Sequence, residues 1–253
     1  MKKIILLLSI LLGLFISESK ATHMMGSDIT YECLGNNKFR ITLKIYRDCT
    51  GINLGGINCT VRSGTNTVSF QPTKISITDL SNVCDTAKSV CDSTSNSTLG
   101  IGIEVHTYQE TIDISKAPYS TWVVNGGCEF VFGWGQCCRN GEITTINNGS
   151  FYSEAMINVC NIKKTTNLCN NSPTFNGDPV FFACCNSPLF YNYQVSESTE
   201  YDSLSYELTT PQSSYGTNMT YKSPFSDSVP MTPKCTNWMW GGIPPPAKGF
   251  LPW

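Results

Sequence analysis

The sequence is poor in the residues on which most enzymes and nucleic-acid-binding proteins depend. It has only two histidines, and charged residues make up 14% of the chain. A Ser-His-Asp or Cys-His catalytic set would have to use His23 or His106, and no nucleophile-elbow motif is present to support one. Basic residues (17) do not outnumber acidic ones (19), which argues against nucleic acid or an anionic membrane as the partner. We therefore expect a protein that is not an enzyme.

Long apolar runs are absent after residue 21, so no later segment is predicted to cross a membrane. Residues 1–21 have the parts of a secretory signal peptide, namely two lysines, an apolar run over residues 4–16 and small residues up to Ala21. Cleavage after Ala21 would remove three lysines and one glutamate and change the formal charge from −2 to −4. The sequence therefore predicts an exported chain.

Cysteine, in contrast, is abundant. All 13 cysteines follow the signal segment, and none forms the C-x-x-C pair that is typical of zinc sites. Export makes disulfide bonds the expected state, and an odd number leaves at least one cysteine without a partner in the chain. The pairing and the unpaired residue stay open. The candidate disulfide cysteines are Cys33, Cys49, Cys59, Cys84, Cys91, Cys128, Cys137, Cys138, Cys160, Cys169, Cys184, Cys185 and Cys235.

Two cysteine doublets, Cys137-Cys138 and Cys184-Cys185, carry a more specific expectation. Neighbouring residues on a strand point to opposite faces, and adjacent Cα atoms are closer together than in a usual disulfide. We expect each doublet to reach two different partners and to join layers or loops.

Alternating apolar and polar residues predict most of the secondary structure. They indicate strands over residues 28–34 and 38–46, joined by a turn at 35–37. A second hairpin is predicted over residues 121–134, with its turn at 125–127 and with Cys128, Phe130, Phe132 and Trp134 on one face. Further strands are expected near residues 103–112, 152–159, 180–183, 191–195 and 204–208, and loops near 92–97 and 162–176.

No segment has a sustained helical period with caps. Short strands separated by Gly, Asn, Ser and Pro clusters are typical of a sandwich, so the predicted fold class is all-β, a disulfide-rich immunoglobulin-like or related β-sandwich. Cysteine density falls near Asn186. We therefore expect a cysteine-rich β domain over residues 22–186 and a separate segment over 187–253 that ends in a proline-rich tail.

Two groups of residues keep other functions open. Glu104, Glu110, Glu129 and Glu154 could supply a glycosidase pair, although nothing in the sequence pairs them. A secreted glycoside hydrolase is therefore an alternative from another class. Trp238 and Trp240 are candidate binding aromatics, because exposed rings stack on sugars or on partner surfaces, and packing over a sheet edge is the other interpretation.

Several segments together resemble the N-terminal region of large Bacteroidetes cell-surface proteins, which are adhesin-like and linked to gliding motility and type IX secretion. The resemblance runs from residue 22 to about residue 210, and C-C-R-N and Y-R-D-C are its most specific parts. The segments are T-H-M-M-G at 22–26, I-T-Y-E-C-L-G at 29–35, Y-R-D-C at 46–49, W-G-Q-C-C-R-N at 134–140, N-S-P at 171–173 and D-S-L-S-Y-E-L at 202–208.

The resemblance implies that residues 187–253 are a partial cadherin-like or immunoglobulin-like repeat. Calcium is at most weakly indicated there, by Glu197, Glu200 and Asp202, so we expect no cofactor. Because the family usually continues to a C-terminal sorting domain, the expected location is the cell surface or extracellular space, or the periplasm if that domain is absent. The expected function is a non-catalytic module of a surface adhesin that presents loops to an unidentified glycan, protein or surface. A carbohydrate-binding module is the alternative.

Overall fold

The computed structural model describes residues 24–81, 88–91, 102–139, 143–147, 149–162, 169–177, 192, 194–196 and 202–230. Several predicted features lie outside these residues. They are the signal peptide, the strand over 180–183, the loop over 92–97, His23, Cys84, Cys184, Cys185, Glu197, Glu200, Cys235, Trp238 and Trp240.

The described chain consists mainly of antiparallel strands, with two short helices. The strands are β1 (Met24–Gly35), β2 (Lys38–Asp48), β3 (Cys59–Ser63), β4 (Asn66–Phe70), β5 (Thr73–Asp79), β6 (Ile103–Asp113), β7 (Glu129–Gln136), β8 (Phe151–Asn158), β9 (Thr174–Phe175), β10 (Val195–Ser196), β11 (Gln212–Ser214) and β12 (Thr217–Asn218). The helices are α1 (Tyr119–Val124) and α2 (Val159–Ile162).

These strands form two larger sheets and one small ribbon. One sheet has the order β1-β2-β6-β5, the other has the order β12-β11-β8-β7-β3-β4, and β9 pairs with β10. The predicted disulfide-rich all-β fold is confirmed. Strands β8 and β9 pair with β11 and β10, which follow residue 186, so hydrogen bonds join the chain on the two sides of the predicted domain boundary.

The β1–β2 hairpin forms as the sequence predicts. Gly35, Asn36 and Asn37 have φ angles of 78°, 51° and 61°, a left-handed conformation that glycine and asparagine tolerate better than other residues. The alternation in β2 also holds, because every second side chain is buried in the core: Phe39, Ile41, Leu43 and Ile45.

The core lies between the two large sheets. Strands β1, β2 and β6 contribute Ile29, Tyr31, Phe39, Ile41, Leu43, Ile45, Tyr108 and Ile112. Strands β3, β7 and β8 contribute Cys59, Val61, Phe130, Phe132, Trp134, Phe151 and Ile157. Since apolar side chains of both sheets form one cluster, the molecule is a two-layer β-sandwich.

The second predicted hairpin is wrong in its first half. Residues 119–124 form helix α1, which begins after Pro118, and only β7 is a strand. Trp122 is buried, with its ring centroid 5.8 Å from that of Phe130. Packing of this indole against the core overrides the strand preference of a sequence rich in aromatic and β-branched residues.

Two other strand predictions also need correction. Residues 204–208 are not in a strand, and Tyr206 and Leu208 are exposed, so their alternating pattern has no sheet to pack against. Among the described residues near the strand predicted over 191–195, Val195–Ser196 form a strand, and the loop predicted over 162–176 contains β9. Strands β3, β4 and β5 were not predicted.

A close approach between strands explains a glycine in β7. A Cβ atom at Gly133 would lie within 2.9 Å of Cζ in the Tyr152 ring. We expect Gly133→Ala to lower the free energy of unfolding by about 1–3 kcal/mol, because the ring would have to move. Gly56→Ala is the matched control, since a Cβ there would meet no atom within 4 Å. Equal losses for the two variants in urea denaturation would contradict this explanation.

Candidate functional site

Four disulfides are present in the described part of the chain. They join Cys33 to Cys169, Cys49 to Cys91, Cys128 to Cys160, and Cys137 to Cys138. The first connects β1 to the segment before β9, across 136 positions of sequence. Bonds of this kind are typical of proteins that mature in an oxidising compartment.

The Cys137-Cys138 doublet does not follow the prediction. Its two sulfur atoms are bonded to each other. The prediction assumed side chains on opposite faces of a strand, whereas β7 ends at Gln136 and the doublet lies beyond it. The other doublet lies outside the described residues.

Cys59 is the free cysteine among those that the structure describes. It lies in β3 and is 3% exposed within the core. Burial raises the pKa of its thiol to about 12. A thiol that is protonated and inaccessible is a poor nucleophile, so Cys59 serves packing rather than chemistry.

A cavity of about 430 Å³ lies beside β1, on the side of the sandwich where β8 and the segment entering β11 approach it. The Oγ atoms of Ser27 on β1 and Ser153 on β8 are 2.5 Å apart and connect the two sheets there. Six of the lining residues carry hydroxyl groups: Ser27, Tyr46, Tyr152, Ser153, Thr209 and Thr210. This volume is within the range of small-molecule sites.

The free edge of β1 also contributes main-chain groups to the cavity. Tyr31 N–H donates to Ser172 Oγ (2.8 Å), and Tyr31 O accepts from Ser172 N–H (2.9 Å), on the side away from β2. Main-chain groups on a strand alternate in direction, and the register is regular from Gly26 to Cys33. Ile29 therefore directs its N–H and C=O toward the same free edge, and Ile29 lines the cavity.

Asp28 and Glu154 give the cavity its charge. Both residues line it, and no lysine or arginine is found among its described lining residues. Tyr46 Oη donates to Asp28 Oδ2 at 3.2 Å. Burial raises the pKa of Asp28, while Lys44 and the hydrogen bond from Tyr46 oppose that rise. A partly buried carboxylate with one hydrogen bond has room for a further donor.

Phe175 and Gln212 also line the cavity. Phe175 lies in β9 and is 41% exposed, so its ring is accessible to a ligand. Gln212 is held by Arg139 of the C-C-R-N motif, whose Nη2 donates to Gln212 O at 2.9 Å. The Arg139 guanidinium is buried and lies 4.8 Å from the centroid of the Phe151 ring. Arg139 therefore helps to position Gln212 in the cavity lining without lining the cavity itself.

A second polar cluster lies away from the cavity. Arg47 Nη1 and His106 Nε2 contact the same atom, Glu104 Oε1, at 2.6 and 2.5 Å. Arg47 also donates to the main-chain oxygens of Gly51 and Ile52. The arrangement fixes the 49–52 turn at one end of the β2–β6 pair, on the face that carries Leu43 and Ile45, so we assign His106 and Glu104 a structural role.

In the described part of the chain, one group brings possible metal ligands together, namely Cys49, Cys91 and Glu104, with ligand atoms within 4.8 Å of one another. The two sulfurs are joined in a disulfide and Glu104 is paired with Arg47, so these groups are occupied by protein contacts. Asp202, from the predicted acidic run, is exposed and lies 3.4 Å from Asn170 Nδ2.

Sequence reasoning did not identify the cavity. Its residues are scattered from Ser27 to Gln212, and only the pairing of the sheets brings them together. Glu154 was named as a candidate acid, but Asp28, the other acidic residue in the lining, was not. The candidate aromatics Trp238 and Trp240 lie outside the described residues, and no pattern singled out Phe175.

Comparisons with known proteins give no relative for this chain. No family model matches it, and no curated protein or solved structure shows significant similarity to it. Within the described residues, no helix has the length and apolar character needed to cross a bilayer.

Proposed function

We propose that this chain is a non-catalytic extracellular binding module of the adhesin type that its sequence resembles, and that it holds a saccharide in the cavity beside β1. The observation that carries the proposal is the lining of that cavity, where six hydroxyl-bearing residues and the exposed ring of Phe175 accompany the main-chain edge of Ile29. Hydroxyls and main-chain groups pair with sugar hydroxyls, and aromatic faces pack on sugar rings.

The disulfides support the extracellular part of the proposal. Four bonds in the described residues stiffen the fold, and one of them anchors the segment that leads to Phe175. A binding surface held rigid before its ligand arrives loses less entropy on binding. Arrival at the cell surface, and a role in gliding motility, rest on the sequence resemblance.

The saccharide function is tested with a glycan array probed by the exported chain. We expect binding to a defined set of glycans, and a loss of about 5- to 10-fold in affinity for Phe175→Ala, since a ring contact contributes about 1 kcal/mol. Val124→Ala, which truncates an exposed side chain on α1 away from the cavity, should bind normally. An array without any bound glycan, or equal behaviour of the two variants, would exclude the cavity as a saccharide site.

A secreted glycoside hydrolase remains the second candidate, because Asp28 and Glu154 line one cavity. Two carboxylates on either side of a glycosidic bond are the usual requirement for its hydrolysis. Incubation of a bound glycan with the protein decides between the two functions. We expect no new reducing ends, whereas release of reducing ends that stops in both Asp28→Asn and Glu154→Gln would establish the hydrolase.

A further inference from the structure

The charge of the cavity restricts the kind of ligand it can hold. Two acidic residues line it, and Lys44, which lies opposite Asp28 in the β1–β2 register, does not line it. No ion pair of Asp28 is found within 4 Å among the described residues, and Tyr46 Oη is the donor that contacts it. An anionic ligand would meet these two acidic residues and would find no lysine or arginine among the described lining residues to pair with.

Neutral sugars satisfy the hydroxyls but offer Asp28 no charged donor, and Lys44, whose charge lowers the pKa of Asp28, forms no ion pair with it among the described contacts. Placing a carboxylate in a partly enclosed site is costly unless a charged donor accompanies it. A ligand ammonium would supply that donor directly and would form a charge-assisted hydrogen bond, which is stronger than one between neutral groups. Tyr46, at 3.2 Å, holds the carboxylate in place and leaves its remaining lone pairs available.

We propose that the cavity selects a saccharide that carries a free amino group, with Asp28 as the direct partner of the ammonium and Glu154 as a second carboxylate on the same cavity. This inference rests on the proposed saccharide function and specifies its ligand class. The aromatic and hydroxyl lining binds the sugar ring, and the Asp28 carboxylate distinguishes a free amine from an acetylated one.

The test compares two oligosaccharides that differ only in acetylation, the tetramer of glucosamine and the tetramer of N-acetylglucosamine. Calorimetric titration of the exported chain, at a pH where the amine is protonated, should show at least a tenfold preference for the glucosamine tetramer. Asp28→Asn, which keeps the shape and the acceptor for Tyr46, should abolish that preference while the protein stays folded by circular dichroism.

Glu129→Gln is the matched control, because it removes the same charge from an exposed position on β7 outside the cavity. It should leave the preference intact. An equal loss in the control and in Asp28→Asn would attribute the preference to overall charge and overturn the inference. Equal affinity of the unmodified chain for the two tetramers, or better binding of the acetylated one, would overturn it too, while leaving the saccharide function standing.

A pH series on the unmodified chain provides a second readout. It tests the assignment of Asp28 as the partner of the ammonium even if Asp28→Asn does not fold. Lys44 and Tyr46 are the titratable groups that act on Asp28, and Glu154 is another titratable residue of the cavity lining. Burial raises the pKa of Asp28, so its carboxylate takes up a proton at a higher pH than an exposed aspartate does. The preference for the amine should decline as the pH falls through that range. A preference that stays constant there would overturn the assignment, and failure of every array glycan to bind would instead remove the saccharide function itself.

Discussion

Replacing Cys33 and Cys169 together by serine is expected to lower the free energy of unfolding by about 5 kcal/mol, the largest loss for any disulfide in the described part of the chain. The bond joins residues 136 positions apart, so it removes more freedom from the unfolded chain than a shorter loop does. In the folded state it lies next to a hydrogen-bonded contact, in which Asn171 Oδ1 accepts from Cys33 N–H at 2.7 Å.

The matched control is the double serine variant of Cys128 and Cys160, which are 32 positions apart. The same loop-entropy relation gives about 4 kcal/mol for that pair. Urea denaturation of both variants measures the difference. A loss for the Cys33 and Cys169 variant that is smaller than the control's loss would show that unfolded-chain entropy is not what sets the contribution of this bond.

The same bond connects stability with the proposed site. Cys169 begins a segment that pairs with β1 at Ser172 and then reaches Phe175 in β9. Loss of the bond removes one of the tethers that position this ring at the cavity. We therefore expect weaker glycan binding in the Cys33 and Cys169 variant, and unchanged binding in the Cys128 and Cys160 control under conditions where both stay folded.

The sandwich was largely predictable because its central strands have strong two-residue periodicity. In β2 every apolar side chain of the alternating set is buried, and in β7 Phe130, Phe132 and Trp134 lie in the core as predicted. The turn at Gly35 was equally clear, since the positive φ angles there favour glycine and asparagine. In these segments local preference and tertiary packing agree, which is why the sequence was informative.

Prediction failed where contacts distant in sequence decide the structure. Residues 119–124 have the composition of a strand, but the contact of Trp122 with Phe130 stabilises a helix. Residues 204–208 alternate well but have no partner strand. The cavity depends on the packing of β1 near β8. These strands are far apart in the sequence, so local residue patterns do not predict that they come together.

Glu104→Gln is expected to destabilise the fold by about 3 kcal/mol. The glutamate accepts from both Arg47 and His106, and the side chain of Arg47 is 7% exposed. Neutralising Glu104 leaves the guanidinium buried without a counter-charge, and breaking a buried ion pair from one side has a cost of about 3–5 kcal/mol. The main-chain acceptors at Gly51 and Ile52 remain, so we expect the lower end of that range.

The pH dependence of this loss separates charge pairing from packing. Burial tends to raise the pKa of Glu104, but the hydrogen bonds from His106 and Arg47 outweigh it and hold the pKa below its ordinary value. A carboxyl group whose pKa is lower in the folded state stabilises the fold fully above the unfolded pKa of about 4.3, and that contribution is lost as the pH falls through the folded value. The difference in stability between the unmodified chain and Glu104→Gln should therefore be largest near neutral pH and shrink below about pH 4.

Glu129→Gln controls for the loss of one negative charge, because that side chain is exposed on β7. Its stability should follow that of the unmodified chain across the whole pH range. A gap for Glu104→Gln that stays constant into acid would mean that the amide disturbs packing at the β2–β6 pair. A gap that closes in acid would assign the stabilisation to the carboxylate charge shared by Arg47 and His106, which holds the turn that follows β2 against the sheet.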